Sequence, residues 1–177
     1  MIYKCEIGID GSGINEALTT LEEFKREVAG KTEEFVDRLA MRGVEVARIG
    51  FAGAAYDGSL GLDSPPGFVR TGPTSGVVRV SGPTCLFIEF GTGVTYPDNH
   101  PEAAKNGMVR GEYGKGHGKQ RTWGYYGDPG TNGEVREKKN GKVVVLTHGN
   151  PANAPMYNAV KKLEEEITSI AREVFGT

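Results

Sequence analysis

Twenty-one of the chain's 27 glycines lie between residues 50 and 149, five precede residue 50 and one follows residue 149. Glycine at that density multiplies backbone freedom and leaves few side chains to bury, so regular structure is expected mainly at the two ends. Leu, Ile, Val and Phe supply 39 of the 177 residues. That is about 22%, enough for one modest core. A single domain over residues 1–177 is expected, with a loop-rich insertion at about 93–133.

At the amino end, Tyr3, Cys5, Ile7 and Ile9 alternate with Lys4, Glu6 and Gly8, a pattern that predicts a short half-buried strand. After the Asp10–Gly13 turn, Ile14, Leu18, Leu21, Phe24 and Val28 share a helical face, as do Phe35, Val36, Leu39, Ala40, Val46 and Ala47. Gly30 between them either divides two helices or is tolerated inside one. Glu16, Glu22, Glu23, Glu27, Glu33 and Glu34 form the solvated side. From Ala52 to Gly76 periodicity fades, and Ser64-Pro65-Pro66-Gly67 and Thr71-Gly72-Pro73 read as turns.

Residues 77–81 predict a strand, and residues 84–90 fit a second strand or two turns of helix. Asn140-Gly141 between Glu134–Lys139 and Lys142–Thr147 predicts a hairpin. Asn153-Ala154-Pro155 opens the carboxy-terminal helix. Its stripe of Met156, Val160, Leu163, Ile167, Ile170 and Val174 is assigned to the core of the subunit.

The chain carries 21 basic and 23 acidic residues, a net charge of −2, which argues against a globally basic nucleic-acid surface. Cys5 and Cys85 stand alone without a Cys-x-x-Cys pair, as expected for reduced thiols in a cytosolic setting. No apolar run approaches a membrane span, and the amino end lacks the apolar core of a secretory signal. Gly11-x-Gly13 is followed by Glu16, where a dinucleotide loop needs a small residue. Residues 114–119 match a phosphate loop in composition but not in spacing.

His100, His117 and His148 lack zinc-type helical spacing, and Cys85 opens an apolar run that favours an inert thiol. A metal-dependent hydrolase using His100, His148 and Asp98 is the alternative in the enzyme class. The residues offer no convergent acid, base and nucleophile, so no enzyme, no cofactor and no metal are expected. Lys105, Arg110, Lys115, Lys119 and Arg121, with Glu112, place four net positive charges beside Trp123, Tyr125 and Tyr126. Such a segment suits phosphate backbone and base stacking, or packing against a neighbouring subunit. Packing is the favoured reading, with DNA contact as the alternative.

Three features together resemble the tail-completion, or head–tail joining, proteins of long-tailed bacteriophages and prophages. They are the charged amphipathic helix followed by Pro66, Thr71-Gly72 and a strand with Arg79 and Ser81; the segment Phe87-Ile88-Glu89-Phe90-Gly91-Thr92; and Trp123-Gly-Tyr-Tyr followed by Thr147-His148-Gly149 and Pro151–Ala159. The Pro66-to-Thr71 spacing is looser than the family's, and no phenylalanine follows Pro155, so the likeness is to the family rather than to a subfamily.

The resemblance implies an α+β fold: a small, mainly antiparallel sheet with the amino- and carboxy-terminal helices packed on one face. It implies a non-enzymatic virion protein of the neck or minor tail, in the virion after assembly in the host cytoplasm. Its partners would be copies of itself in a ring, assembled from monomers, together with connector or adaptor and tail-tube or terminator proteins. No membrane is involved. The expected ring contact is Glu89, Phe90, Gly91 and Thr92, aided by Trp123, Tyr125 and Tyr126 and docked beside a neighbour's sheet edge or amino-terminal helix. On that reading Glu89→Lys leaves the subunit's stability unchanged and weakens assembly, and the 93–133 arm is mobile until a partner orders it.

Overall fold

The structure, a computed structural model, describes residues 3–4, 7–8, 12–54, 61–92, 99–108, 122–125, 133–137 and 141–176, with Trp123, Tyr125 and Glu137 as backbone only. Helix α1 (Ile14–Ala52) is followed by β1 (Ser64–Gly72), β2 (Ser75–Ser81) and helix α2 (Cys85–Phe90). A 3-10 turn at Ala104–Asn106 precedes β3 (Trp123–Tyr125), β4 (Glu134–Glu137), β5 (Val143–Thr147) and helix α3 (Pro155–Phe175). The class is α+β. Instead of one sheet there are two antiparallel ones: the β1–β2 hairpin and a three-stranded sheet ordered β3-β5-β4. Strands β4 and β5 pair antiparallel, as expected on either side of Asn140-Gly141, with Glu134 opposite Leu146 and Glu137 opposite Val143; residues 138–140 lie outside the described residues.

One expectation fails at the amino end, and one open alternative is decided there. Tyr3, Lys4, Ile7 and Gly8 belong to no strand. Instead the Tyr3 ring packs edge-on against Phe24 at 5.1 Å, and its hydroxyl donates to the Glu27 carboxylate. Gly30 does not divide α1, which runs 39 residues without a break, about 58 Å at 1.5 Å per residue. A Cβ at Gly30 would meet nothing within 4 Å.

Helices α1 and α3 pack antiparallel. Phe35 meets Phe175, Arg38 pairs with Glu173, Arg42 with Glu166, and Gly50 abuts Pro155. The close approach at the last contact requires glycine, because a Cβ at Gly50 would lie 2.7 Å from Pro155 Cβ. A proline ring cannot swing away. Gly50→Ala is therefore expected to destabilise the protein by about 1–3 kcal/mol through overpacking. Gly30→Ala is expected to stabilise it by about 0.5–1 kcal/mol through helix propensity alone. Urea midpoints of the two variants moving in the same direction would contradict this account of the helix pair.

The hairpin lies against α1, where Arg48 Nε donates to the Pro66 carbonyl at 2.9 Å and Arg70 pairs with Asp37. Phe51, Ala54 and Ile88 form the buried cluster at the meeting of α1, α2 and α3, flanked by half-buried Leu62, Val80, Cys85 and Met156. The α3 stripe is only partly internal. Val174 is buried and Met156, Leu163 and Ile170 are half-buried, but Val160 and Ile167 are exposed.

Arg42 Nε donates to Glu166 Oε2 at 2.7 Å and Nη2 to Oε1 at 3.1 Å, a two-point contact that fixes the α1–α3 register. Arg42 holds the Glu166 carboxyl at about 2, well below its ordinary 4.5. Desolvation pushes the other way, and Lys162 adds to the lowering. Because the folded value lies below the unfolded one, the contribution is complete above about pH 4.5 and is lost as pH falls toward 2. The urea-midpoint gap between wild type and Glu166→Gln is expected to be constant above about pH 5 and to close between about 4.5 and 2. A gap that persists at the acid end of that window would remove the pair from the account.

Candidate functional site: a carboxylate latch at the start of α3

Helix α3 begins Ala154-Pro155-Met156-Tyr157, and no side chain of its own caps it. The first turn of any helix leaves backbone N–H groups without partners. Here Glu89 supplies the acceptor from α2. The Met156 N–H donates to Glu89 Oε2 at 2.8 Å, and the Tyr157 N–H donates to Oε1 at 2.9 Å. The carboxylate thus occupies the positive end of the α3 dipole. Main-chain bonds reinforce it. Asn153 N–H donates to the Ile88 carbonyl at 3.0 Å, and Ala154 N–H to the Glu89 carbonyl at 3.2 Å. Thr92 and Asn150 are joined twice: Thr92 N–H donates to the Asn150 carbonyl, and Asn150 N–H to Thr92 Oγ1.

His100 completes the latch. Its Nε2 lies 3.1 Å from Glu89 Oε1, and its Nδ1 accepts the Glu102 backbone N–H at 3.1 Å. An accepting Nδ1 assigns the proton of the neutral ring to Nε2, which donates to the carboxylate. The ring packs against Phe90 at 4.5 Å and Tyr157 at 5.4 Å, and the His100 side chain is only 2% exposed. Both oxygens of the buried carboxylate thus accept hydrogen bonds, from two backbone N–H groups and the imidazole.

Two backbone conformations shape the site. Gly91, with φ 79° and ψ −175°, turns the chain out of α2 in a region open essentially to glycine alone. Ala154, with φ 48°, is the one non-glycine residue of positive φ among the described residues. That conformation costs L-residues about 1–2 kcal/mol, of which glycine returns part, less the entropy of its freer unfolded chain. Ala154→Gly is expected to raise stability by about 0.5–1 kcal/mol in urea titration. A loss of stability would mean that the alanine methyl makes a contact that outweighs the strain.

The geometry corrects the expected interface. Glu89, Phe90 and Gly91 are buried within the subunit and Thr92 is half-buried, so the side chains of Glu89 and Phe90 are engaged inside the subunit rather than on its surface. Glu89 in particular is fully engaged. The 93–133 arm is not wholly free either, because residues 99–108 are anchored by His100 and by buried Ala103. Lys105 is exposed and pairs with Glu102 at 3.0 Å. Arg110, Lys115, Lys119, Arg121 and Tyr126 lie outside the described residues, as does Asp98, while Trp123 and Tyr125 contribute only their backbone to β3.

His148 lies elsewhere, with Nδ1 2.8 Å from Thr122 Oγ1. Among the described residues, no group of three or more His, Cys, Asp or Glu side chains is placed to hold a metal ion, and no helix is long and apolar enough to cross a membrane. Beside the latch opens a cleft of about 530 Å³ lined by Phe51, Val80, Cys85, Leu86, Met156 and Val160, together with Glu89 and His100. Compared with protein families, with curated proteins and with solved structures, the chain matches none.

Proposed function

We propose that this chain is a non-enzymatic assembly protein of a long-tailed phage or prophage, joining head connector to tail by forming a ring of its own copies. The observation that supports this reading most is that two segments carrying the resemblance, Phe87–Thr92 and Pro151–Ala159, form one bonded unit. The glutamate of the first caps the helix opened by the second. A helix that starts without its own cap needs an acceptor from elsewhere, so the two motifs belong together for a physical reason. On this reading the latch is a rigid corner of the subunit, and the ring contact uses other surface. Neighbours in the particle would be connector or adaptor proteins on one side and tail-tube or terminator proteins on the other, in the virion, after assembly in the host cytoplasm.

Deleting the gene from the phage or prophage that carries it tests the reading. The expected lysate contains DNA-filled heads and free tails that join when the purified protein is added. Intact particles without it, or stoichiometric zinc or manganese binding that is lost with His100 or His148, would overturn the proposal.

A further inference from the structure

Helix α3 is too short to cover α1. Its last aromatic, Phe175, meets Phe35, and the β1–β2 hairpin pairs Arg70 with Asp37. Upstream of these contacts lies the arm Ile14–Val28, which has little of its own to keep it helical. Its N-cap, Gly13, makes no side-chain bond to the first turn, and Thr19, Thr20 and Val28 are weak helix formers. At its base stands Gly30, where even a Cβ would meet nothing within 4 Å. Helices in proteins owe most of their stability to tertiary packing rather than to propensity.

A hold on the arm comes from the chain that precedes it. Between residues 14 and 30, the residues that are not exposed are Ala17, Thr20 and Glu27. With Phe24 they form a single line along the helix at 3-4-3 spacing. Tyr3 sits on that line, its ring edge-on to Phe24 and its hydroxyl donating to the Glu27 carboxylate. The Gly8 N–H donates to the Ser12 carbonyl at 2.9 Å where the chain turns into α1. From Ile14 to Phe24 the helix advances about 15 Å, a span that about five extended residues cover. Lys4, Ile7 and Gly8 are exposed, so among the described residues of this segment Tyr3 carries the attachment.

We infer that Tyr3 is a conformational pin: the arm Ile14–Val28 opens as a unit apart from the rest of the protein, and the Tyr3 contact holds it closed. With the pin in place the free half of α1 is a rigid rod. With the pin withdrawn the arm frays as far as Gly30, where glycine weakens the helix, while α1 beyond Phe35 stays fixed by α3. The order of the arm then depends on one side chain, and whatever competes for Tyr3 shifts the balance between the two states. The inference stands independently of the self-assembly reading above.

Amide hydrogen exchange on the full-length protein supplies the test. In wild type, Leu21 and Phe24 are expected to exchange through an opening whose urea dependence is less than about half that of Val44 and Ala47, because only part of the chain is exposed. In Tyr3→Ala, exchange at Leu21 and Phe24 is expected to rise at least about tenfold, with Val44 and Ala47 unchanged. Tyr3→Phe keeps the ring on Phe24 and loses the hydroxyl bond, so its rates are expected to fall between those of wild type and Tyr3→Ala. Equal rates and equal urea slopes along the whole of α1 in wild type would overturn the separate unit, whatever the variants do. Equal acceleration at all four amides in Tyr3→Ala would overturn it as well. Unchanged exchange at Leu21 and Phe24 in Tyr3→Ala would overturn the pin.

Discussion

Glu89→Lys is expected to lower folding stability by at least about 3–5 kcal/mol, the cost of leaving a buried charge without its partner. The lysine removes the acceptor for Met156 N–H, Tyr157 N–H and His100 Nε2, and it places an ammonium at the positive end of α3. Against a total stability of about 5–15 kcal/mol, that loss leaves much of the protein unfolded at ordinary temperatures. Glu89→Gln keeps the shape and one acceptor oxygen, so its loss is expected to be smaller, about 1–3 kcal/mol. Urea unfolding of the three proteins checks the order wild type, Gln, Lys. A lysine variant as stable as wild type would return Glu89 to the surface and remove the latch.

Phe51→Ala is the second large effect. Phe51 is 1% exposed at the centre of the cluster with Ala54 and Ile88, where α1 ends against α2 and α3. Truncating a buried phenylalanine costs about 3–5 kcal/mol, part of it the cavity left behind. Because the residue also lines the cleft, the cavity would open into that space and enlarge it. Phe51→Leu should recover most of the loss. Urea midpoints would show this, and an alanine variant within about 1 kcal/mol of wild type would place the core elsewhere.

The elements legible in the sequence are those whose signals are local. Helix α3 announces itself by a stripe at 4-3-4-3-4 spacing between Pro155 and Gly176, and the β4–β5 hairpin by Asn140-Gly141. Strand β1 is hidden because Pro65-Pro66 reads as a turn. In the structure both prolines lie between the paired positions Ser64 and Gly67, where the register shifts, in a ladder of only two strands. A missing N–H is tolerated there.

The site escapes a reading of the sequence for a reason of period. As a strand, residues 84–90 put Leu86, Ile88 and Phe90 inward and Glu89 toward solvent. As helix α2, the same residues put Ile88, Glu89 and Phe90 inside and leave Leu86 exposed. A signal is nevertheless present in the chain: a helix opening Ala154-Pro155-Met156-Tyr157 has no cap of its own, and a lone glutamate in an apolar segment is the natural acceptor. The uncovered arm of α1 is beyond reach, since periodicity marks an apolar face without saying how far a 21-residue partner extends along a 39-residue helix.

The latch is tested most directly by amide hydrogen exchange at Met156 and Tyr157. In wild type these two amides are expected to be protected to nearly the level of the middle of α3, although they lie in its first turn, where most helices exchange freely. In Glu89→Gln their protection is expected to fall at least about tenfold more than that of Leu163. Rapid exchange at both amides in wild type, or equal loss of protection along the whole of α3 in the variant, would contradict a carboxylate of α2 holding the start of α3.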